Sequence, residues 1–272
     1  MARALRELAA RHGVRPRKAL GQHFLVDPNL ARSIVRWGGV APGDHVLEVG
    51  AGLGSLTVEL AATASHVVAI EVDAAAASAL REVTRDRGNV EIVVGDGLSL
   101  DWPSVLRGDD WKMVSNLPYN VAVPLLMDML EDAPEVRDFT VMVQREVGER
   151  LVAGPGEEQY GAVSVRAAYY AEGRAIRRVP PSVFWPEPNV DSVVVRLARR
   201  APPVSTPRDM LFRVVDEGFA QRRKTMRNAL VRLGMEASAA RAALAACGLG
   251  AHVRAEELDL RAFACLADAI RG

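Results

Sequence analysis

Between residues 45 and 143, short β-branched runs alternate with segments of helical composition. His45–Val49, Val67–Glu71, Val90–Val94, Lys112–Ser115 and Phe139–Val143 read as strands. Leu53–Thr63, Ala74–Asp86 and Val121–Leu130 lie between them and read as helices, with Ala74–Ala77 a strong helix-forming run. This order predicts an α/β fold, a parallel sheet with helices on both faces. Strand-like runs return at Ser164–Tyr170 and Ser192–Leu197, and two late strands close together predict an antiparallel addition at the sheet edge. The stretch Ala198–Pro207 holds three prolines and no apolar period, so it reads as a linker. Beyond it, Arg208–Ala220, Arg222–Leu233, Ala237–Cys247 and Leu260–Ile270 read as helices. The expected division is therefore a large domain over residues 1–205 and a small all-α domain over 206–272.

Composition leaves that picture intact. The chain has 272 residues, 49% hydrophobic and 25% charged, enough to bury a full core. No run approaches the ~18 consecutive apolar residues of a transmembrane helix, so no membrane is expected. The Arg-rich segment Met1 to Lys18 raises a mitochondrial presequence, but Glu7 interrupts it and the first motif already begins at Gly21, so a basic surface arm is expected. The two cysteines, Cys247 and Cys265, sit in apolar helical surroundings and are expected to be packing thiols in a reducing cytoplasm.

Charge changes the picture once it is mapped. The formal net charge is zero, yet residues 1–40 carry +6, residues 41–160 carry −13 and residues 161–227 carry +7. An acidic middle between two basic regions fits a surface that meets a phosphate backbone. Arg177, Arg178, Arg222, Arg223 and Lys224 fall in the second basic region, and the last three are expected at the start of a helix.

Candidate chemistry collects at the strand ends. The first strand runs into Gly50-Ala51-Gly52-Leu53-Gly54, where glycines let the backbone turn tightly and approach a ligand. The spacing is not that of a dinucleotide site, and Glu48 is an unusual residue just before the loop. Glu71 closes the second strand, where a carboxylate can accept hydrogen bonds from both ribose hydroxyls of a nucleoside. Asp96 follows the third strand and can take an adenine amine. The fourth strand ends in Asn116-Leu117-Pro118-Tyr119. An adenine amine is a poor nucleophile because its lone pair is delocalised into the ring. An Asn oxygen and a backbone carbonyl held by the following proline can both accept its hydrogens, and Tyr119 offers a face for the base, worth ~1–3 kcal/mol in stacking.

With these residues in hand, the chain resembles the ribosomal RNA adenine dimethyltransferases, specifically the KsgA type that modifies small-subunit RNA. The resemblance runs through Gly21-Gln22-His23-Phe24-Leu25, Glu48–Gly52, Asn116–Asn120, Phe184–Ser192 and Gln221–Thr225. It implies a Rossmann-like class I methyltransferase fold, with a mixed, mostly parallel sheet and a small C-terminal all-α domain that binds RNA. It implies S-adenosyl-L-methionine as the cofactor, held by His23, Leu25, Gly50, Gly52, Glu71, Asp96 and Asn116. Asn116, Leu117 and Tyr119 would hold the target base, with Phe184 as a second stacking face. The implied reaction places two methyl groups on N6 of each of two adjacent adenosines in the 3′-terminal hairpin of 16S ribosomal RNA, within a small-subunit precursor, by a monomer that needs no metal. The chain departs from the usual pattern at Ala51, where Pro is common, and at His23, where Asn is common.

Two alternatives share this fold. One is a large-subunit ribosomal RNA adenine methyltransferase of the erythromycin-resistance kind, whose motif usually has Ile at the position of Leu117. The other is a non-catalytic RNA-binding assembly factor, against which the intact Glu71, Asp96 and Asn116 speak.

Overall fold

A computed structural model describes residues 2–17, 21–108 and 110–271. Met1 and Lys18, the ends of the Arg-rich stretch, lie outside the described residues. The rest of that stretch is not an arm on the surface. Ala2–Arg11 forms an amphipathic helix, α1, whose Leu8 and Ala9 are buried in a cluster with Phe24, Leu53, Ala76 and Ala79. Its end is anchored by His12 Nε2 and Arg11, which meet the Glu82 carboxylate at 2.6 and 2.5 Å.

The chain then makes a short strand β1 (Phe24–Leu25) and helix α2 (Pro28–Trp37). Asp27 caps α2 by accepting from the Asn29 and Leu30 backbone N–H groups, and Pro28 occupies the first turn, where its missing N–H costs nothing. The predicted alternation follows: β2 (His45–Val49), α3 (Ser55–Ala61), β3 (His66–Glu71), α4 (Ala74–Val83), β4 (Val90–Val94), the short α5 (Trp102–Val105), β5 (Trp111–Asn116), α6 (Ala122–Asp132) and β6 (Val136–Gln144). Asp73 caps α4 through Ala75 and Ala76, and the small buried side chains of Ala76, Ala77 and Ala79 let that helix lie close on its neighbours.

Helix α7 (Arg145–Val152) leads to α8 (Ala162–Tyr170), strand β7 (Ala171–Val179), the short β8 (Phe184–Trp185) and β9 (Ser192–Arg199). The sheet order is β4-β3-β2-β5-β6-β9-β7. β2 is parallel to both β3 and β5, β3 to β4 and β5 to β6, while β9 runs antiparallel to β6. The expected mixed, mostly parallel sheet with a late antiparallel strand is thus present. β9 takes up Ala198 and Arg199, so the proline-rich connection starts later than the sequence indicates.

Ser164–Tyr170 is a correction. Its apolar residues at alternate positions mimic a strand, but the segment is the helix α8, and the strand is the next segment, Arg-rich and largely exposed at the sheet edge. The start of α8 is fixed by Ser164 Oγ, which accepts from the Gly161 N–H at 3.0 Å and donates to the Arg150 carbonyl at 2.5 Å.

The chain divides into two compact units. One comprises Met1–Gly148 with Gly173–Arg199, and the other Glu149–Glu172 with Arg200–Gly272. A single boundary near 206 misses that residues 149–172 belong with the later helices. In the second unit, α8 packs with α9 (Arg208–Ala220), α10 (Met226–Arg232), α11 (Ala237–Ala246) and α12 (Leu260–Arg271) around Phe212, Leu230, Leu244 and Phe263. Tyr160 donates its hydroxyl to the Leu258 carbonyl at 2.7 Å, and Arg166 lies over the Phe212 ring while pairing with Asp216. The Arg222–Leu233 helix is another correction: the helix starts at Met226, and residues 222–224 form turns in front of it. Cys247 and Cys265 are not free thiols but a disulfide, because the end of α11 meets α12. Among the described residues, no helix is long and apolar enough to cross a membrane.

Candidate functional site

β2 has β3 on one side and β5 on the other, so the chain's winding reverses there, and a crevice opens beyond the carboxyl ends of these strands. The crevice is lined by the loops that follow these strands and by residues 21–25. Its floor is the loop after β2. Gly50, Gly52 and Gly54 all have left-handed backbone angles, with φ of +78°, +56° and +82°. A Cβ on Gly50 would stand 2.9 Å from Pro118 Cδ, and one on Gly52 would stand 2.9 Å from Phe24 Cδ1. Glycine here lets the loop press against the Asn116–Tyr119 turn on one side and the N-terminal strap on the other.

Glu71 ends β3 and is only 4% exposed. One carboxylate oxygen accepts from Gly52 N–H at 2.7 Å and the other from Asp73 N–H at 2.9 Å. Burial pushes its pKa up, and these two hydrogen bonds oppose that shift. Asp96 is exposed at the mouth, and its Oδ1 accepts from the Leu98 N–H at 3.0 Å. Val72 and Leu98, 48% and 39% exposed, line the same cleft beside these carboxylates. Two carboxylates that accept hydroxyl or amine hydrogens, with bare aliphatic surface between them, fit the ribose and adenine of S-adenosylmethionine. Glu71 would take the ribose and Asp96 the adenine amine.

Asn116 ends β5. Its Nδ2 donates to the His23 carbonyl at 3.1 Å, which turns Oδ1, an acceptor, the other way. Leu117 is buried, with its N–H on the Met142 carbonyl at 3.0 Å. The Tyr119 hydroxyl bonds Ser192 Oγ at 2.6 Å, and burial raises its pKa. The His23 ring lies 5.2 Å from the Tyr119 ring at 30°, and its Nδ1 donates to the Pro186 carbonyl at 2.7 Å. His23, Leu25, Gly50, Gly52, Glu71, Asp96, Asn116, Leu117 and Tyr119, all singled out from sequence, line this one cleft.

Phe184 does not. Its ring is 2% exposed, in a core cluster with Leu25, Ile34, Val35 and Val179, and it is absent from the cleft wall. Phe184 sits opposite Leu25 in the two-stranded β1–β8 ribbon, and Trp185 is the residue opposite Phe24.

The basic residues divide. Arg177 and Arg178 are exposed on β7. Arg222 holds the Tyr160 and Glu158 carbonyls at 3.0 and 3.3 Å, with Glu256 at 3.9 Å, so its guanidinium is engaged within the unit. Asp216 and Glu217, the carboxylates nearest to it in sequence, pair instead with Arg166 and Arg232. Arg223 and Lys224 are exposed in the turns before α10.

Sequence reasoning assigns Glu48 no role. Its carboxyl is 1% exposed and accepts from Thr57 Oγ1 at 2.6 Å. Burial pushes its pKa up to about 8, with the nearby Glu71 adding to the rise. The signal is present in the chain: a lone Glu in the otherwise apolar body of β2. Among the described residues, no three His, Cys, Asp or Glu side chains gather as a metal site.

The chain matches the family described as ribosomal RNA adenine dimethylase over residues 13–269. A ribosomal RNA small subunit methyltransferase A from Moorella thermoacetica is 44% identical over 270 residues, spanning 95% of this chain and 94% of that protein. Another of the same name from Kineococcus radiotolerans is 46% identical over 272 residues, spanning 98% and 90%. Of the solved structures, a dimethyladenosine transferase from Plasmodium falciparum shares the fold with a TM-score of 0.77 at 24% identity, over 90% of this chain and 96% of that one. The 23S rRNA methyltransferase ErmE gives a TM-score of 0.73 at 25% identity, over 92% and 100%. With a family match across nearly its whole length and a cleft whose carboxylates suit the nucleoside of the methyl donor, the chain belongs to the ribosomal RNA adenine dimethylase family and is an S-adenosylmethionine-dependent RNA methyltransferase.

Proposed function

We propose that this enzyme dimethylates N6 of two adjacent adenosines in the 3′-terminal hairpin of 16S ribosomal RNA, acting as a cytoplasmic monomer on a small-subunit precursor. The small-subunit assignment draws on the names of the relatives that are more than 40% identical along the whole chain. The observation that carries the chemistry is the Asn116 amide: its Nδ2 is spent on the His23 carbonyl, so Oδ1 is the atom left to accept an amine hydrogen.

Bound S-adenosylmethionine supplies a methyl group already activated on a sulfonium. The protein's part is alignment. Asn116 Oδ1 and the Leu117 carbonyl, fixed by Pro118, accept the two hydrogens of the adenine amine and turn its lone pair toward the donor. Tyr119, braced through Ser192, gives the extruded base a face to stack on. Glu71 and Asp96 fix the cofactor's nucleoside. Arg177, Arg178, Arg223 and Lys224 meet RNA phosphates, while Arg222 supports the turn that carries its neighbours.

Mapping modified nucleotides by reverse-transcription stops in a deletion strain tests the assignment. Loss of the paired stops near the 3′ end of 16S RNA is expected. Loss of a stop in 23S RNA would instead favour the erythromycin-resistance type, and an unchanged map would favour a non-catalytic factor.

A further inference from the structure

His23 stands where three segments of the first unit meet. Its carbonyl receives Asn116 Nδ2 at 3.1 Å, from the end of β5. Its Nδ1 lies 2.7 Å from the Pro186 carbonyl, just after β8, and because a carbonyl can only accept, Nδ1 carries the hydrogen. That bond fixes the plane of the imidazole. The plane faces the ring of Tyr119 at 5.2 Å and a tilt of 30°, an offset arrangement in which one ring limits the orientations of the other. Tyr119 is held at its far end by Ser192 Oγ, itself the first residue of β9. The tyrosine ring is therefore gripped at its tip by one segment and along its side by His23.

We infer that His23 is a positioning residue for the methyl-acceptor half of the site: its imidazole, clamped to the Pro186 carbonyl, sets the tilt of the Tyr119 ring against which the target adenine stacks. This rests on the stacking role proposed for Tyr119. It also gives the side chain a task distinct from cofactor contact. An asparagine at this position could make the bond to Pro186 but has no ring to lay against Tyr119.

A double-mutant cycle on the full-length enzyme tests the inference, with His23→Ala, Tyr119→Ala and the pair assayed for kcat/KM on RNA and for the cofactor Kd by calorimetry. His23→Ala is expected to lower kcat/KM for RNA by about tenfold, the size of one aromatic pair, with a much smaller change in cofactor Kd. In the Tyr119→Ala background the same substitution should cost nothing further. His23→Phe, which keeps a ring, should retain more activity than His23→Asn, which keeps the polar group, and this comparison stands even if the alanine variant folds poorly. Additive losses in the double variant, or Asn outperforming Phe, would overturn the inference while leaving the stacking of Tyr119 intact. If Tyr119→Ala itself has no effect on kcat/KM, the stacking proposal falls and takes the inference with it.

Discussion

Thr57, on the first turn of α3, donates its hydroxyl at 2.6 Å to Glu48, which is buried two residues before the Gly50–Gly54 loop. Burial holds the Glu48 proton to a pKa of about 8, whereas the unfolded chain releases it near 4.5. Between these values the folded state binds the proton and the unfolded state does not. Stability from this group is thus present in full below pH 4.5 and is lost as pH rises toward 8, by at most about 1.4 kcal/mol per pH unit. Glu48→Gln removes that dependence. Urea unfolding between pH 5 and 8 should show the variant gaining on the wild-type protein as pH increases. A constant difference would place the Glu48 pKa outside this window.

Glu71→Ala should weaken cofactor binding, since a charge-assisted hydrogen bond is worth roughly 1.5–3 kcal/mol, or about 10- to 150-fold in Kd. It also strips the acceptors from the Gly52 and Asp73 N–H groups, so the melting temperature should fall. Glu71→Gln retains one oxygen for these donors and should fold better while still binding the cofactor weakly. Calorimetric titration with S-adenosylmethionine beside a thermal melt separates the two effects. An unaltered Kd in both variants would remove Glu71 from the cofactor site.

Asn116→Ala should depress kcat more than stability, because the amide aligns an amine rather than filling space. A modest rise in cofactor Kd is also expected, since the residue borders both ligands. Tyr119→Phe gives up the bond to Ser192, a cost of about 1 kcal/mol in stability, but keeps the ring face. It should retain most of its activity, whereas Tyr119→Ala should lose roughly 5- to 150-fold in kcat/KM, the ~1–3 kcal/mol of one stacked base. Equal kcat/KM in the two tyrosine variants would contradict stacking.

The basic residues should separate into two kinds. Arg222→Ala breaks bonds to the Glu158 and Tyr160 carbonyls and should lower the melting temperature. Charge removal at Arg177, Arg223 and Lys224 should leave it nearly unchanged. The latter variants should instead flatten the dependence of RNA affinity on log salt, by ~0.7–0.9 in slope for each phosphate that is no longer neutralised. Cofactor Kd should stay constant throughout. Salt slopes identical to wild type would assign these three side chains to solvent.

The strands β2, β3 and β5 are legible in the sequence because a parallel strand buried on both faces must be a nearly unbroken apolar run, and the polar residue that ends the run must then lie at the sheet's carboxyl edge. That rule brings Gly50, Glu71 and Asn116 to one crevice, where Asp96 joins them after the edge strand β4, and the family motifs Glu48–Gly52 and Asn116–Asn120 lie at two of these ends. What alternation alone could not resolve is Ser164–Tyr170, whose small and apolar residues satisfy both a strand and a short helix until the neighbouring helices decide. Phe184 and Trp185 differ only in which face of a two-residue ribbon each occupies, and a ribbon that short has no period to read. The packing of His23 on Tyr119, the anchoring role of Arg222, the disulfide of Cys247 with Cys265, and the membership of residues 149–172 in the second unit all join positions distant in sequence. Local patterning encodes which face of an element seeks burial, whereas these pairings depend on which elements the finished packing sets side by side. Only the tertiary structure decided them.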